Sequence, residues 1–169
     1  MKVFSVFGCS DSGKTTSVER IIAELCRRKY SVGSIKDIHF RDFAIDREGT
    51  DTQRHKLAGS QLVTARGLYE TDVLFQSRLS LREVLRFYDQ DFVVLEGENN
   101  FEGPGIISAY TEHEIEERMR ETVFAVVGRI SDRISEYKGL PVINALKDVG
   151  KLVDLIEEKV PEWEDRGTL

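Results

Sequence analysis

The residues Gly8-Cys9-Ser10-Asp11-Ser12-Gly13-Lys14-Thr15 satisfy G-x-x-x-x-G-K-[ST] at every fixed position. The apolar run Val3-Phe4-Ser5-Val6-Phe7 precedes them and reads as a buried strand, while Val18, Ile21, Ile22 and Leu25 follow at helical spacing. Strand, glycine loop and helix in that order form the setting a phosphate-binding loop requires. With glycine at about 7% of residues, chance would place these fixed positions in under roughly 1% of chains this long. Backbone N–H groups of residues 11–16 are expected to converge on phosphates, helped by the positive dipole end of a helix starting near Thr15. Gly8, Ser10, Asp11, Ser12, Gly13, Lys14, Thr15 and Thr16 are therefore the expected contacts. Lys14 is expected to reach the β- and γ-phosphates and the Thr15 hydroxyl to take one position on Mg²⁺. The two glycines are expected to keep Cβ atoms clear of the phosphates.

The chain has 169 residues, 40% hydrophobic and 32% charged, with a formal net charge of −6. That is the composition of a soluble globular domain with no broad basic face, which argues against nucleic acid or an anionic membrane as a partner. No apolar run approaches the roughly 18 residues of a membrane span. The first strand starts by residue 3, so no signal peptide is expected, and Cys9 and Cys26 fit a reducing cytoplasm. Cys9 stands near a helix N-terminus, a position that lowers a thiol pKa, although filling the loop is the simpler assignment.

Along the rest of the chain, strands alternate with helices. Arg27-Arg28-Lys29 ends the first helix, where cations favour the dipole. Residues 30–35 read as a strand, and Phe40–Gly49, with Arg41, Asp42, Asp46, Arg47 and Glu48, as a long functional loop. A helix is expected over residues 51–59, closed by Gly59, then strands over 61–65 and 69–75. Ser80 caps a helical stripe of Leu81, Val84, Leu85 and Tyr88. Phe92-Val93-Val94-Leu95-Glu96-Gly97 reads as a core strand with an acid at its carboxyl end, which makes Glu96 the expected partner of Thr15 at Mg²⁺. Residues 106–109, 123–127 and 140–145 are expected strands, and 112–121 an exposed charged helix. The last helix runs from Val149 to before Pro161, leaving 161–169 as a polar tail. The expectation is an α/β three-layer sandwich of the P-loop NTPase type. It has one domain over residues 1–160, with a mostly parallel, doubly wound sheet covered by helices on both faces. Ligands bind at the carboxyl ends of such strands, where the loop, the region after Ile35 and Glu96 converge.

Beyond the phosphate loop, three blocks recur together in one family. They are Ser34-Ile35-Lys36-Asp37-Ile38-His39, the block from Asp46 through Gly49-Thr50-Asp51-Thr52-Gln53-Arg54-His55-Lys56-Leu57-Ala58-Gly59, and the strand ending in Glu96-Gly97. Over most of residues 1–160 the chain resembles MobB, the molybdopterin-guanine dinucleotide biosynthesis protein B, a GTP-binding family. The resemblance implies a homodimer that binds GTP with Mg²⁺ and hydrolyses it slowly. It also implies assistance to a MobA-type guanylyltransferase that joins GMP to molybdopterin, with molybdopterin a further ligand. Lys14, Thr15 and Glu96 carry over as phosphate and Mg²⁺ residues, and His39, Asp46, Asp51 and Arg54 as family-motif residues near the nucleotide or cofactor. Asp46 and Asp51 then hold Mg²⁺ or its waters and Arg54 pairs a phosphate; alternatively, Asp51 caps its helix and Arg54 pairs a nearby carboxylate. Lys14, Glu96 and Asp51 are the residues to which turnover is assigned. The chain departs from the family at two places: Asp37 replaces a histidine, and Glu98-Asn99 replace an aromatic and a lysine, which removes one contact to a phosphate or pterin.

Guanine is usually read by Asn-Lys-x-Asp, which is absent here; Asn144-Ala145-Leu146-Lys147-Asp148 carries similar chemistry at other spacing. Asp148 either accepts from guanine or caps the last helix. Two other functions stay open: an ATP-dependent small-molecule kinase using Arg47, Arg54 and the 112–121 segment, and a nucleotide-gated adapter without turnover.

Overall fold

The computed structural model describes residues 1–40 and 43–164; Arg41 and Asp42 of the expected loop and residues 165–169 of the expected tail lie outside the described residues. In chain order the first elements are β1 (Lys2–Gly8), α1 (Lys14–Arg27), β2 (Val32–Lys36), α2 (Asp51–Leu57), β3 (Leu62–Arg66), β4 (Thr71–Phe75) and α3 (Leu81–Leu85). Then come β5 (Phe92–Glu96), β6 (Gly105–Ser108), α4 (Glu112–Arg118), β7 (Val123–Val127), a 3₁₀ turn (Arg129–Asp132), β8 (Glu136–Tyr137), β9 (Leu140–Pro141) and α5 (Val149–Lys159). They fall into two compact units, residues 1–37 with the chain from Tyr88 onward, and residues Ile38–Phe87.

The first unit is built on a five-stranded parallel sheet in the order β2-β5-β1-β6-β7. Register aligns the carboxyl ends: Glu96 lies between Val6 and Lys36, and Ser108 between Gly8 and Val127. Side chains alternate across the sheet. Phe4, Val6, Val94, Ile106 and Val127 therefore face α1 and α5, where they join Ile21, Leu25, Leu152 and Ile156 in one core. Phe7, Ile107 and Val126 face the other way, onto Ile115 of α4 and Ile130 of the 3₁₀ turn. Each fully buried large apolar side chain stabilises the fold by about 1.5–3 kcal/mol relative to exposure. Helices thus cover both faces of the sheet, the layered α/β arrangement expected.

Arg27 and Arg28 do more than complement a dipole. Arg28 donates to Glu24 (2.9 Å), Asp154 (2.7 Å), Glu157 (2.9 Å) and the Gly150 carbonyl (2.9 Å), tying α1 to α5. Hydrogen bonds from Arg27 and Arg28 hold the Glu24 carboxyl down at about 2.

Several expected elements differ. The 61–65 and 69–75 strands form a separate antiparallel hairpin, β3–β4, because the turn closed by Gly67 N–H to Glu70 O is too short for a parallel crossover. The 140–145 strand shrinks to β9, paired with β8; Pro141 has no N–H for a ladder, and Val142 makes only a single parallel bridge to Val126. The charged 112–121 segment is helical only to Arg118 and is anchored rather than exposed, since Ile115 is fully buried under it. Tyr88 lies outside α3; its ring covers Gly33 and its hydroxyl donates to Ser34 O at 2.9 Å. Beyond Pro161 the chain is held too, with Glu162 bridged to Lys2 and the Trp163 ring against Phe101.

The second unit holds α2, the hairpin and α3. Thr50, and not Asp51, caps α2, its hydroxyl accepting from the Gln53 N–H, while Gly59 follows the helix at φ 104°. Ser80 caps α3 in a reciprocal box with Glu83, as its position before the apolar stripe suggested. Among the described residues no helix is long and apolar enough to cross a membrane.

Candidate functional site

The site is built where β1 gives way to α1. The chain leaves β1 at Gly8 (φ 150°), turns through Asp11 (φ 58°) and enters the helix from Gly13 (φ 101°), backbone that β-carbon-bearing residues rarely adopt. The glycines serve packing as much as ligand access: a Cβ on Gly8 would lie 1.9 Å from the Ser108 carbonyl oxygen of the neighbouring strand. Ser12, almost wholly buried, donates to Cys9 O at 2.9 Å and meets Ser108 Oγ at 3.0 Å, so it braces the loop instead of capping the helix. The Arg129 N–H donates to Ser12 O at 3.0 Å and pins the loop to the turn after β7.

The first intrahelical bond of α1 runs from the Ser17 N–H to Gly13 O. Lys14, Thr15 and Thr16 therefore present first-turn N–H groups that have no helical acceptor. Lys14 Nζ donates to the Cys9 carbonyl, lying across the loop. Burial pushes its pKa down while Glu96 opposes the shift, so the ammonium is poised to gain from an anion. Burial raises the pKa of the Cys9 thiol, contrary to the lowering expected near a helix N-terminus.

Glu96 is the centre of a three-way contact. Its side chain points to the α1 face of the sheet, as do Val94 and Phe92 on the same strand. Thr15 Oγ1 donates to Glu96 Oε1 at 2.6 Å, and Lys36 Nζ lies 2.9 Å from the same oxygen and 3.4 Å from Thr15 Oγ1. Lys36 was not among the expected site residues; its register opposite Glu96, at the end of the adjacent strand, was the signal. Among the described residues no group of three or more His, Cys, Asp or Glu side chains could hold a metal. A divalent ion at this site would therefore rely on the Thr15 hydroxyl, Glu96 and oxygens of its own ligand. A hydroxyl and a carboxylate in contact beside first-turn N–H donors fit Mg²⁺ carried with a phosphate chain.

His39, Asp46, Asp51 and Arg54 belong to the second unit. His39 is exposed on the irregular stretch before α2. Asp46 Oδ1 accepts from Thr50 (2.7 Å) and Thr52 (2.8 Å), which hold its pKa down, and its buried Oδ2 has no partner. Asp51 pairs with Arg54 at 3.0 Å, both well exposed, which is the structural role open to Arg54 from the start. In the first unit, Asp148 precedes α5 but makes no side-chain cap; at φ −130° and ψ 34° it is outside the β-region that capping needs, and it pairs with Lys151. Asn144 and Lys147 instead converge on Asp132 at 2.9 and 3.2 Å, a residue the sequence did not single out.

A five-stranded parallel sheet with helices on both faces and a glycine loop running from its central strand into a helix is a P-loop NTPase-like fold. The chain belongs to the MobB family, whose model, Molybdopterin guanine dinucleotide synthesis protein B, matches residues 3–129. It is 26% identical over 147 residues to the probable molybdopterin-guanine dinucleotide biosynthesis adapter protein of Bacillus subtilis, covering 85% of each chain. It is 34% identical over 100 residues to a putative adapter protein of the same name from Methanocaldococcus jannaschii, covering 57% of this chain and 41% of that one. The crystal structure of Bacillus subtilis MobB superposes with a TM-score of 0.78 at 23% identity, over 96% of this chain and 100% of that one. A MobB homologue from Bacillus stearothermophilus gives 0.70 at 21% identity, over 94% and 98%. These two likenesses show the shared fold.

Proposed function

We propose that this chain binds GTP with Mg²⁺ at the Gly8–Thr16 loop and acts as a nucleotide-dependent adapter in molybdopterin guanine dinucleotide synthesis, with slow hydrolysis as a side activity. The observation that carries the reading is the Thr15–Glu96 hydrogen bond of 2.6 Å, formed at the N-terminus of α1 beside the loop. Family membership and the adapter names of the relatives support the pathway.

In this reading the first-turn N–H groups of α1 bind phosphate oxygens, and Lys14 leaves the Cys9 carbonyl for the outer phosphates. Thr15 turns its lone pair to the metal side and Glu96 holds that side in place. Mg²⁺, when bound, neutralises phosphate charge. Lys36 supplies a second cation from the end of β2. Glu96 is already engaged by Thr15 and Lys36, an arrangement that favours holding over attack and so supports binding ahead of turnover. Asn144, Lys147 and Asp132 are the groups we assign to the base edge. Exposed Leu68, Tyr69 and Val73 of the β3–β4 hairpin support a homodimer, and a MobA-type guanylyltransferase is the proposed client.

Glu96→Ala tests the carrying observation: it should weaken GTP binding in Mg²⁺ and leave Mg²⁺-free binding nearly unchanged. Equal loss in both conditions would remove Glu96 from the metal side. GTP-dependent retention of a purified guanylyltransferase tests the adapter role, and retention indifferent to nucleotide would contradict it.

A further inference from the structure

The turn after β7 lies directly against the phosphate loop. A Cβ on Gly128 (φ 92°) would stand 2.5 Å from the Ser12 carbonyl oxygen and 2.7 Å from Ser108 Oγ, and the Arg129 N–H donates to that same Ser12 oxygen at 3.0 Å. The Ile130 N–H donates to Ala109 O at 3.0 Å and its side chain is buried, so the turn carries Asp132 on a rigid support. A second segment reaches the same edge of the sheet. Val142 bridges Val126 in parallel and the Ile143 N–H donates to Val126 O at 2.8 Å, which sets Asn144 at the carboxyl end of β7.

The Asn144 amide is oriented by its own turn. Its Oδ1 accepts from the Leu146 N–H at 3.0 Å, so Nδ2 is the atom that faces Asp132, donating to Oδ1 at 2.9 Å. Lys147 Nζ meets the same Oδ1 at 3.2 Å. Oδ2 takes part in neither bond, and the Asp132 side chain is 61% exposed. Asp132 is thus a carboxylate held in one orientation, open to solvent, with acceptor capacity left for a ligand. Leu146 of the same turn is exposed and offers apolar surface beside it. The other acid of this region, Asp148, is engaged with Lys151.

We infer that Asp132 reads the guanine edge of the bound nucleotide, with Asn144 as its positioning residue. The inference rests on the nucleotide reading of the Gly8–Thr16 loop and gives that site its base specificity. Guanine presents adjacent donors, N1–H and N2–H, and a carboxylate accepts both, one on each oxygen. Each oxygen carries more than one lone-pair site, so Oδ1 keeps the Asn144 bond while it takes a base N–H. Adenine presents its N6–H donor beside the bare lone pair of N1, which a carboxylate repels. The Lys147 side chain is 71% exposed, so solvent screens its pairing with Asp132; it yields Oδ1 to the base, and its ammonium is then available to the guanine O6. Leu146 supplies the apolar surface that the purine ring covers.

The test is isothermal titration of GTP, ATP and xanthosine triphosphate in Mg²⁺, with inorganic tripolyphosphate as the ligand without a base. It is run on the wild type, Asp132→Asn, Asn144→Ala and Asp148→Asn. In Asp132→Asn the new carbonyl takes the Asn144 bond and the new NH₂ faces the base, which suits the O2 carbonyl of xanthine in place of the guanine amino group. GTP affinity should fall by about tenfold or more and xanthosine triphosphate affinity rise by as much, the scale of one bidentate base contact, with tripolyphosphate affinity unchanged. Asn144→Ala should lower the GTP-to-ATP ratio without creating xanthosine triphosphate binding, and Asp148→Asn should leave the preference as it was. A GTP preference untouched in Asp132→Asn, or lost in Asp148→Asn, overturns the assignment while the nucleotide site stands. Loss of GTP binding in Asp132→Asn with no gain for xanthosine triphosphate marks Asp132 as structural and overturns it too. A wild type that binds no nucleotide, or prefers ATP, refutes the nucleotide reading and this inference together.

Discussion

Replacing Lys36 by methionine removes a charge from the proposed nucleotide site while keeping the length of the stem. In the structure the Lys36 ammonium holds the same Glu96 oxygen that Thr15 holds, at 2.9 Å, and lies 3.4 Å from the Thr15 hydroxyl. It therefore stands where a divalent ion would have to approach these two groups. The lysine side chain is 55% exposed, so solvent screens the pair, and its net strength belongs to the range of about 0.2–1 kcal/mol for such pairs. Freed of this competitor, Glu96 should serve Mg²⁺ about 1.4- to 5-fold better, the same energies expressed as ratios. Mg²⁺-free nucleotide should bind more weakly, because a cation near the phosphates is gone. Isothermal titration of GTP across a Mg²⁺ series measures both effects. Lower half-saturating Mg²⁺ together with weaker Mg²⁺-free binding is expected for Lys36→Met. A higher Mg²⁺ requirement, or no change in either quantity, would refute the idea that Lys36 and the ion share Glu96.

Lys14→Ala should abolish tight nucleotide binding while leaving the circular dichroism and melting profile of a folded protein; unchanged affinity would refute the loop assignment. The Glu24 carboxyl, held at about 2 by Arg27 and Arg28, binds fewer protons folded than unfolded between its ordinary value of 4.5 and that value. Its stabilisation is thus complete above about pH 4.5 and lost as pH falls through about 2, and Glu24→Gln should flatten that part of a denaturation-against-pH curve. Ile115→Ala removes the one fully buried side chain of α4 and should cost about 2–5 kcal/mol in urea unfolding, whereas an exposed helix would lose almost nothing.

The turn from β1 into α1 was legible because G-x-x-x-x-G-K-[ST] demands particular residues at particular spacing, and those residues are contiguous. The contact between Glu96 and Thr15 was legible only jointly, since an acid ending a four-residue apolar run is a weak signal alone and the Gly8–Thr15 loop supplied its partner. Lys36 and Ser108 were not, because each acquires its role from register: Lys36 from lying opposite Glu96, and Ser108 from lying opposite Gly8 and beneath Ser12. The anchoring of α4 was obscured by composition, one isoleucine among six charged or ionisable neighbours in Glu112–Arg118. The strands over 61–65 and 69–75 were legible but their separate antiparallel pairing was not, because strand propensity says nothing about pairing direction; the length of the turn at Gly67–Glu70 does. Asp51 and Asp148 show a related limit. Both are acids at helix starts, yet Thr50 takes the capping bond in one case and the backbone angles of Asp148 forbid it in the other.

Competitive binding of GTP, ATP and GDP, each with and without Mg²⁺, tests most directly the claim that this loop and Glu96 form a Mg²⁺–GTP site. GTP should be preferred over ATP, with affinity that rises on adding Mg²⁺. An ATP preference, or affinity indifferent to Mg²⁺, would contradict the account.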